Sequence, residues 1–156
     1  MGSNPTPSAT QEMQELHMKS RNYFDTFIEV ADDCPVSASE VPQPKNGVKT
    51  LPLLQYEMIA NHPYEYKQED ILFQTHADHR GISAAERPSE RIKFFAKGQA
   101  CLRSSALGKR YGWGIHNDER GKVAIFAVES DEYRRLAADQ SIKHLRAMRS
   151  KRSQSR

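Results

Sequence analysis

Between Lys97 and His116 the sequence reads KGQACLRSSALGKRYGWGIH, a stretch with no carboxylate that holds a thiol, two arginines and an imidazole. Nearby positive charge favours the ionised form of a thiol. Cys101, close in sequence to Arg103, Lys109 and Arg110, is therefore a candidate nucleophile, with His116 as its candidate base. Arg103 and Arg110 offer planar guanidinium forks that suit a carboxylate or a phosphate. Each reading has a plainer counterpart. A free cysteine commonly packs as a small hydrophobe, and either arginine can serve an internal carboxylate such as Asp25, Glu29, Glu57 or Glu129.

The end of the same stretch, YGWGIH, alternates as a strand does. Tyr111, Trp113 and Ile115 fall on one face, and Gly112, Gly114 and His116 on the other. Two missing side chains predict a shallow trough ending in the imidazole. Glycine inside a strand marks close approach by a ligand or by another part of the chain. The candidate site is thus a polar cleft formed by residues 101–116. Cys101 and His116 are its candidate catalytic residues, and Arg103, Arg110, Gly112, Trp113 and Gly114 its ligand-binding ones.

Metal and cofactor chemistry find little support. His76 and His79 share a helical face at i, i+3, but two imidazoles do not complete a site, and H-E-x-x-H is absent. Asp32 and Asp33 read as turn residues. No phosphate-binding loop, dinucleotide glycine motif, nucleophile elbow or calcium loop occurs, so no cofactor is expected.

Composition bounds the rest. With 156 residues, 37% hydrophobic and 28% charged, the chain suits one small domain. Two cysteines exclude a disulfide framework, and no apolar run approaches a membrane span or a secretory leader, so the expectation is a soluble cytoplasmic protein without membrane partners. Residues 1–42 carry a net charge of −5 and residues 134–156 one of +7. The two ends can attract one another, or the tail can lie on an anionic partner. The tail lacks aromatic residues for stacking on bases, so nucleic acid is an unlikely partner.

The elements that must position these residues follow from pattern. NYFDTFIEV alternates with aromatic and β-branched residues and predicts a strand, followed by a long proline-containing loop. Thr50 caps a helix that ends at Asn61 and Pro63, and a second helix runs over 68–79 to Gly81. A third starts at Ser83 or Pro88 and ends at Gly98. RYGWGIHNDERGKVAIFAVES predicts a hairpin, and Ser130 then opens a short helix. Residues 141–149 fit a helix through Ile142, Leu145 and Met148, the preferred reading, or a strand through Leu145 and Ala147. The expected fold is α+β: a small antiparallel sheet of about three strands with helices on one face. Residues 22–149 form that domain, between a disordered extension (1–21) and a basic flexible tail (150–156).

The strings NYFDTFIEVADDCP, CLRSS, KRYGWGIH and AMRSKR resemble those of an uncharacterised family of small bacterial and fungal proteins known only as a domain of unknown function. That resemblance implies no activity and no site residues. The functional expectation therefore rests on the residues: binding of a small anionic molecule in the 101–116 cleft, with catalysis left open. The alternatives are an interaction module, for instance a homodimer, and weak non-specific nucleic-acid binding through the basic C-terminus.

Overall fold

The structure, a computed structural model, describes residues 21–151. Of the expected extension (1–21) and the expected tail (150–156), residues 1–20 and 152–156 lie outside the described residues. The chain folds as α+β, but the sheet has four strands and is mixed. Strand β1 (Thr26–Glu29) lies inside it, antiparallel to β2 (Trp113–Asn117) and parallel to β4 (Lys143–Arg146). Strand β3 (Val123–Ala127) completes the hairpin with β2, giving the order β3-β2-β1-β4.

β4 corrects the helical reading of residues 141–149. Its apolar residues repeat at helical spacing, yet β1 presents an edge whose carbonyls need donors. Lys143 N–H donates to Asp25 O at 2.7 Å and Ala147 N–H to Glu29 O at 2.8 Å. Pairing that satisfies backbone groups and buries Ala147 outweighs a weak local preference.

Cross-strand register produces two distinct faces. Ile125, Ile115, Ile28 and Leu145 align across all four strands and face the main core. Helix α1 (Leu51–Ala60) and helix α2 (Gln68–Arg80) cover this face with Ile59 and Ile71. Thr50 accepts the Leu53 N–H at the start of α1, and Gly81, at φ 67°, closes α2 in a left-handed cap. Helix α3 (Arg87–Ala96) begins with Pro88 in its first turn, which decides between the two sequence-based starts. Arg87 fastens it to α2 through Gln74 and Asp78, both at 2.8 Å.

The other face carries Ala124, His116, Phe27 and His144 in a row. A helix packs on part of it, over β1 and β3, contrary to the expectation of helices on one face only. After a short 3-10 turn (Leu102–Ser104) and helix α4 (Ala106–Lys109), the hairpin leads into helix α5 (Asp131–Ala138), which lies against β1 and β3. Its Tyr133 meets Phe27 edge-on at 5.0 Å and accepts the Val30 N–H at 3.0 Å. Helix α5 thereby carries the chain across the sheet from β3 to the far side of β1.

Candidate small-molecule site

The segment that looked richest in chemistry is held firmly from behind. Leu102 and Leu107 are fully buried, and Leu102 N–H donates to Gln68 Oε1 at 2.8 Å. Ser105 caps α4 by accepting the Leu107 N–H, and it donates its hydroxyl to Gln55 Oε1 at 2.7 Å. Arg103 Nε donates to Arg146 O at 2.9 Å, while Met148 N–H donates to Arg103 O at 2.8 Å, so Arg103 seals the outer edge of β4. These ties turn residues 101–109 into a rigid wall.

Two cavities open along that wall, and both are lined by Pro52, Ser104 and Ala106. The first, about 340 Å³, is walled by Leu51, Leu72 and Phe94 and also holds His76, Gln99 and Cys101. The second, about 290 Å³, ends at Lys109, Arg110 and Tyr111. Neither lining contains a carboxylate, and among the described residues neither Lys109 nor Arg110 forms an ion pair. A third cavity of about 420 Å³ borders α1 and α2, but its acids are already answered: Glu57 by Lys49 at 3.0 Å and Asp78 by Arg87 at 2.8 Å.

Within the first cavity, Cys101 Sγ accepts a hydrogen bond from the Tyr23 hydroxyl at 3.2 Å. Burial, followed by that bond to Cys101, pushes the Tyr23 pKa up to about 12. The tyrosine is therefore a proton donor at neutral pH and cannot serve Cys101 as a base. His76 is held below its usual pKa, first by burial and then by Arg80 and His79, so its imidazole is neutral. Its ring lies 4.5 Å from that of Phe94.

The structure does not bring Cys101 and His116 together. His116 faces the opposite side of the sheet, where its Nδ1 meets the Tyr64 hydroxyl at 2.8 Å. Burial lowers its pKa, opposed by Asp118, Asp25 and Asp139.

The expected glycine trough is filled. A Cβ on Gly114 would stand 2.6 Å from both Phe27 Cζ and Tyr133 Cε2, so the missing side chain makes room for aromatic rings. Gly112, at φ 78°, lies outside the strand and abuts the backbone of Ser39. The long loop after β1 is pinned there: Ser39 bonds to the Glu129 carboxylate, and Trp113 Nε1 donates to Glu40 O at 2.8 Å. Trp113 is half-buried with its ring 5.2 Å from Tyr56, a packing position. Of the seven residues singled out, only Cys101 and Arg110 line the cavities.

Sequence reasoning missed the contributions of Leu51, Leu72, His76 and Phe94. Each comes from a helix outside the 101–116 segment, and no local pattern connects them. Among the described residues no group of three or more histidine, cysteine or acidic side chains is placed to hold a metal ion. No helix among them is long and apolar enough to cross a membrane.

The basic tail is partly engaged with the acidic front. Asp32 pairs with Arg146 at 3.3 Å and with Arg149 at 3.2 Å, and Asp33 accepts the backbone N–H groups of Ser150 and Lys151. This is the attraction between chain ends that the charge distribution allowed.

Fold and site together define a small α+β protein with two adjoining surface cavities, one walled by apolar side chains and the other ending at two cations. The chain belongs to a family of unknown function (DUF6157), whose model matches residues 18–153. No curated protein and no solved structure matches it.

Proposed function

We propose that the protein binds a small anionic molecule in the groove along residues 99–111. The observation that carries this reading is the pairing of Lys109 and Arg110 with a cavity lining free of carboxylates. Cations on a rigid wall with no internal acid to neutralise them suit an incoming carboxylate or phosphate. Cys101 enters the reading as part of the wall, because its hydrogen-bonding partner is a tyrosine that keeps its own proton.

Thermal unfolding at constant ionic strength tests the proposal, with inorganic phosphate and acetate as probes and chloride as control. Both anions should raise the melting temperature, because a ligand bound only by the folded state stabilises it. The double variant Lys109→Ala/Arg110→Ala should lose the rise, and Arg134→Ala/Arg135→Ala on exposed α5 should keep it. A rise of equal size in the first variant, or none in the wild type, removes the reading.

Self-association is the second reading. Ile92 is 74% exposed on α3, a helix with no fully buried residue. Light scattering should then show a dimer that Ile92→Glu dissociates; a wild-type monomer at high concentration discards the idea.

A further inference from the structure

We infer that the groove selects an amphipathic acid with a flat aromatic body, an arenecarboxylate, whose carboxylate meets Lys109 and Arg110 and whose rings pack against the Phe94–His76 pair. The inference rests on the anion-binding reading above and adds the chemistry of the other end. Pro52, Ser104 and Ala106 line both cavities, so the two adjoin, and the acid we infer reaches from the cations to the apolar walls.

The apolar end has polar side chains, several of which already have a hydrogen-bond partner inside the protein. Gln55 accepts from Ser105, Ser104 donates to Met148 Sδ, Gln99 donates to Phe94 O, and Cys101 accepts from Tyr23. The apolar surface a ligand meets there comes from Leu51, Leu72, Phe94 and the His76 ring. Leu51 is 37% exposed and Phe94 and Leu72 are half-buried, so a bound apolar body would remove further surface from water.

Flatness follows from the rings. His76 and Phe94 are tilted by 37° with centroids 4.5 Å apart, a stacked pair whose remaining faces and edges suit the face or edge of a π-system better than an alkyl chain. The imidazole is neutral, so covering it does not bury a charge. About 340 Å³ lies within the range of small-molecule sites.

Isothermal titration of the full chain with 2-naphthoate, octanoate and acetate at one ionic strength tests this inference. 2-Naphthoate should bind at least ten-fold more tightly than acetate and more tightly than octanoate. Phe94→Ala should reduce that advantage. Because Phe94 also packs on Phe73, a second variant is needed: Ala100→Trp, at an exposed position on the lining, should fill the apolar end and bring 2-naphthoate affinity down toward that of acetate. Equal affinity for 2-naphthoate and acetate, lost for both in Lys109→Ala/Arg110→Ala, would overturn the aromatic inference and leave the anion site standing. Octanoate binding as tightly as 2-naphthoate, or 2-naphthoate affinity untouched by both apolar-end variants, also overturns it. Absence of binding by all three acids removes both readings.

Discussion

At the scale of single residues, the reverse face of the sheet shows how a feature that resembles a binding site can be packing. Gly114 exists so that Phe27 and Tyr133 can meet over β2. Gly114→Ala would push a methyl group into two rings that are themselves buried. The expected cost is about 1–3 kcal/mol, read as a lower denaturation midpoint with an unchanged denaturant slope. A variant as stable as wild type would show that the rings do not need that space.

His116, beside the same cluster, has a different role. Burial depresses its pKa below the usual 6.5, and His76 is shifted the same way. The unfolded chain therefore binds protons that the folded protein refuses, so stability is complete above the unfolded pKa and declines as pH falls through it. His116→Gln should flatten the loss of melting temperature between about pH 6.5 and 5. An identical slope in the variant would place the His116 pKa at its ordinary value.

At the scale of elements, the junction between the turn after β1 and the segment after β4 is electrostatic and built on backbone donors. Backbone N–H groups of Lys151 and Ser150 hold the Asp33 carboxyl below the usual carboxylate range, with Arg149 adding to the effect. A depressed carboxylate contributes its attachment above the unfolded pKa and loses it as pH falls through the folded one. Residues 149–151 should therefore detach below about pH 3.8. Asp33→Ala should produce the same detachment at neutral pH, seen as faster tryptic cleavage after Arg149. Unchanged cleavage would mean that Asp32 alone holds the segment.

The same elements show what local pattern can and cannot reveal. The β2–β3 hairpin, the Thr50 cap and the Gly81 stop were legible because their signals lie within a few residues of the structures they specify. β4 was not, because its apolar spacing is ambiguous and its partner β1 lies more than a hundred residues earlier. Gln55 and Gln68 carry no local signal of burial, but both are buried with partners on the 101–105 segment. The cationic end of the groove was visible in a stretch without acids. The Phe94–His76 ring pair was not, because it exists only after α2 and α3 have packed.

At the scale of the whole molecule, the earliest strand occupies an interior place in the sheet. β1 has β2 on one side and β4 on the other, so neither edge is satisfied until most of the chain is present. β4 also buttresses the groove, since Arg103 is bonded to it through both its side chain and its carbonyl. A chain ending at Ile142 would leave the β1 carbonyls without donors, uncover Ile28 and release the 102–104 turn. Exposing that buried backbone and apolar edge removes several contributions at once, and a small domain has little stability in reserve, about 5–15 kcal/mol in all. The truncated chain should lose its cooperative calorimetric transition and its anion-induced stabilisation together. A chain ending at Lys151 keeps β4 and its Asp33 attachment, and should melt within about 2 °C of the full length, because a shift that small corresponds to well under 1 kcal/mol. A chain ending at Ile142 that melts cooperatively at the full-length temperature would show that β4 decorates the sheet without completing it.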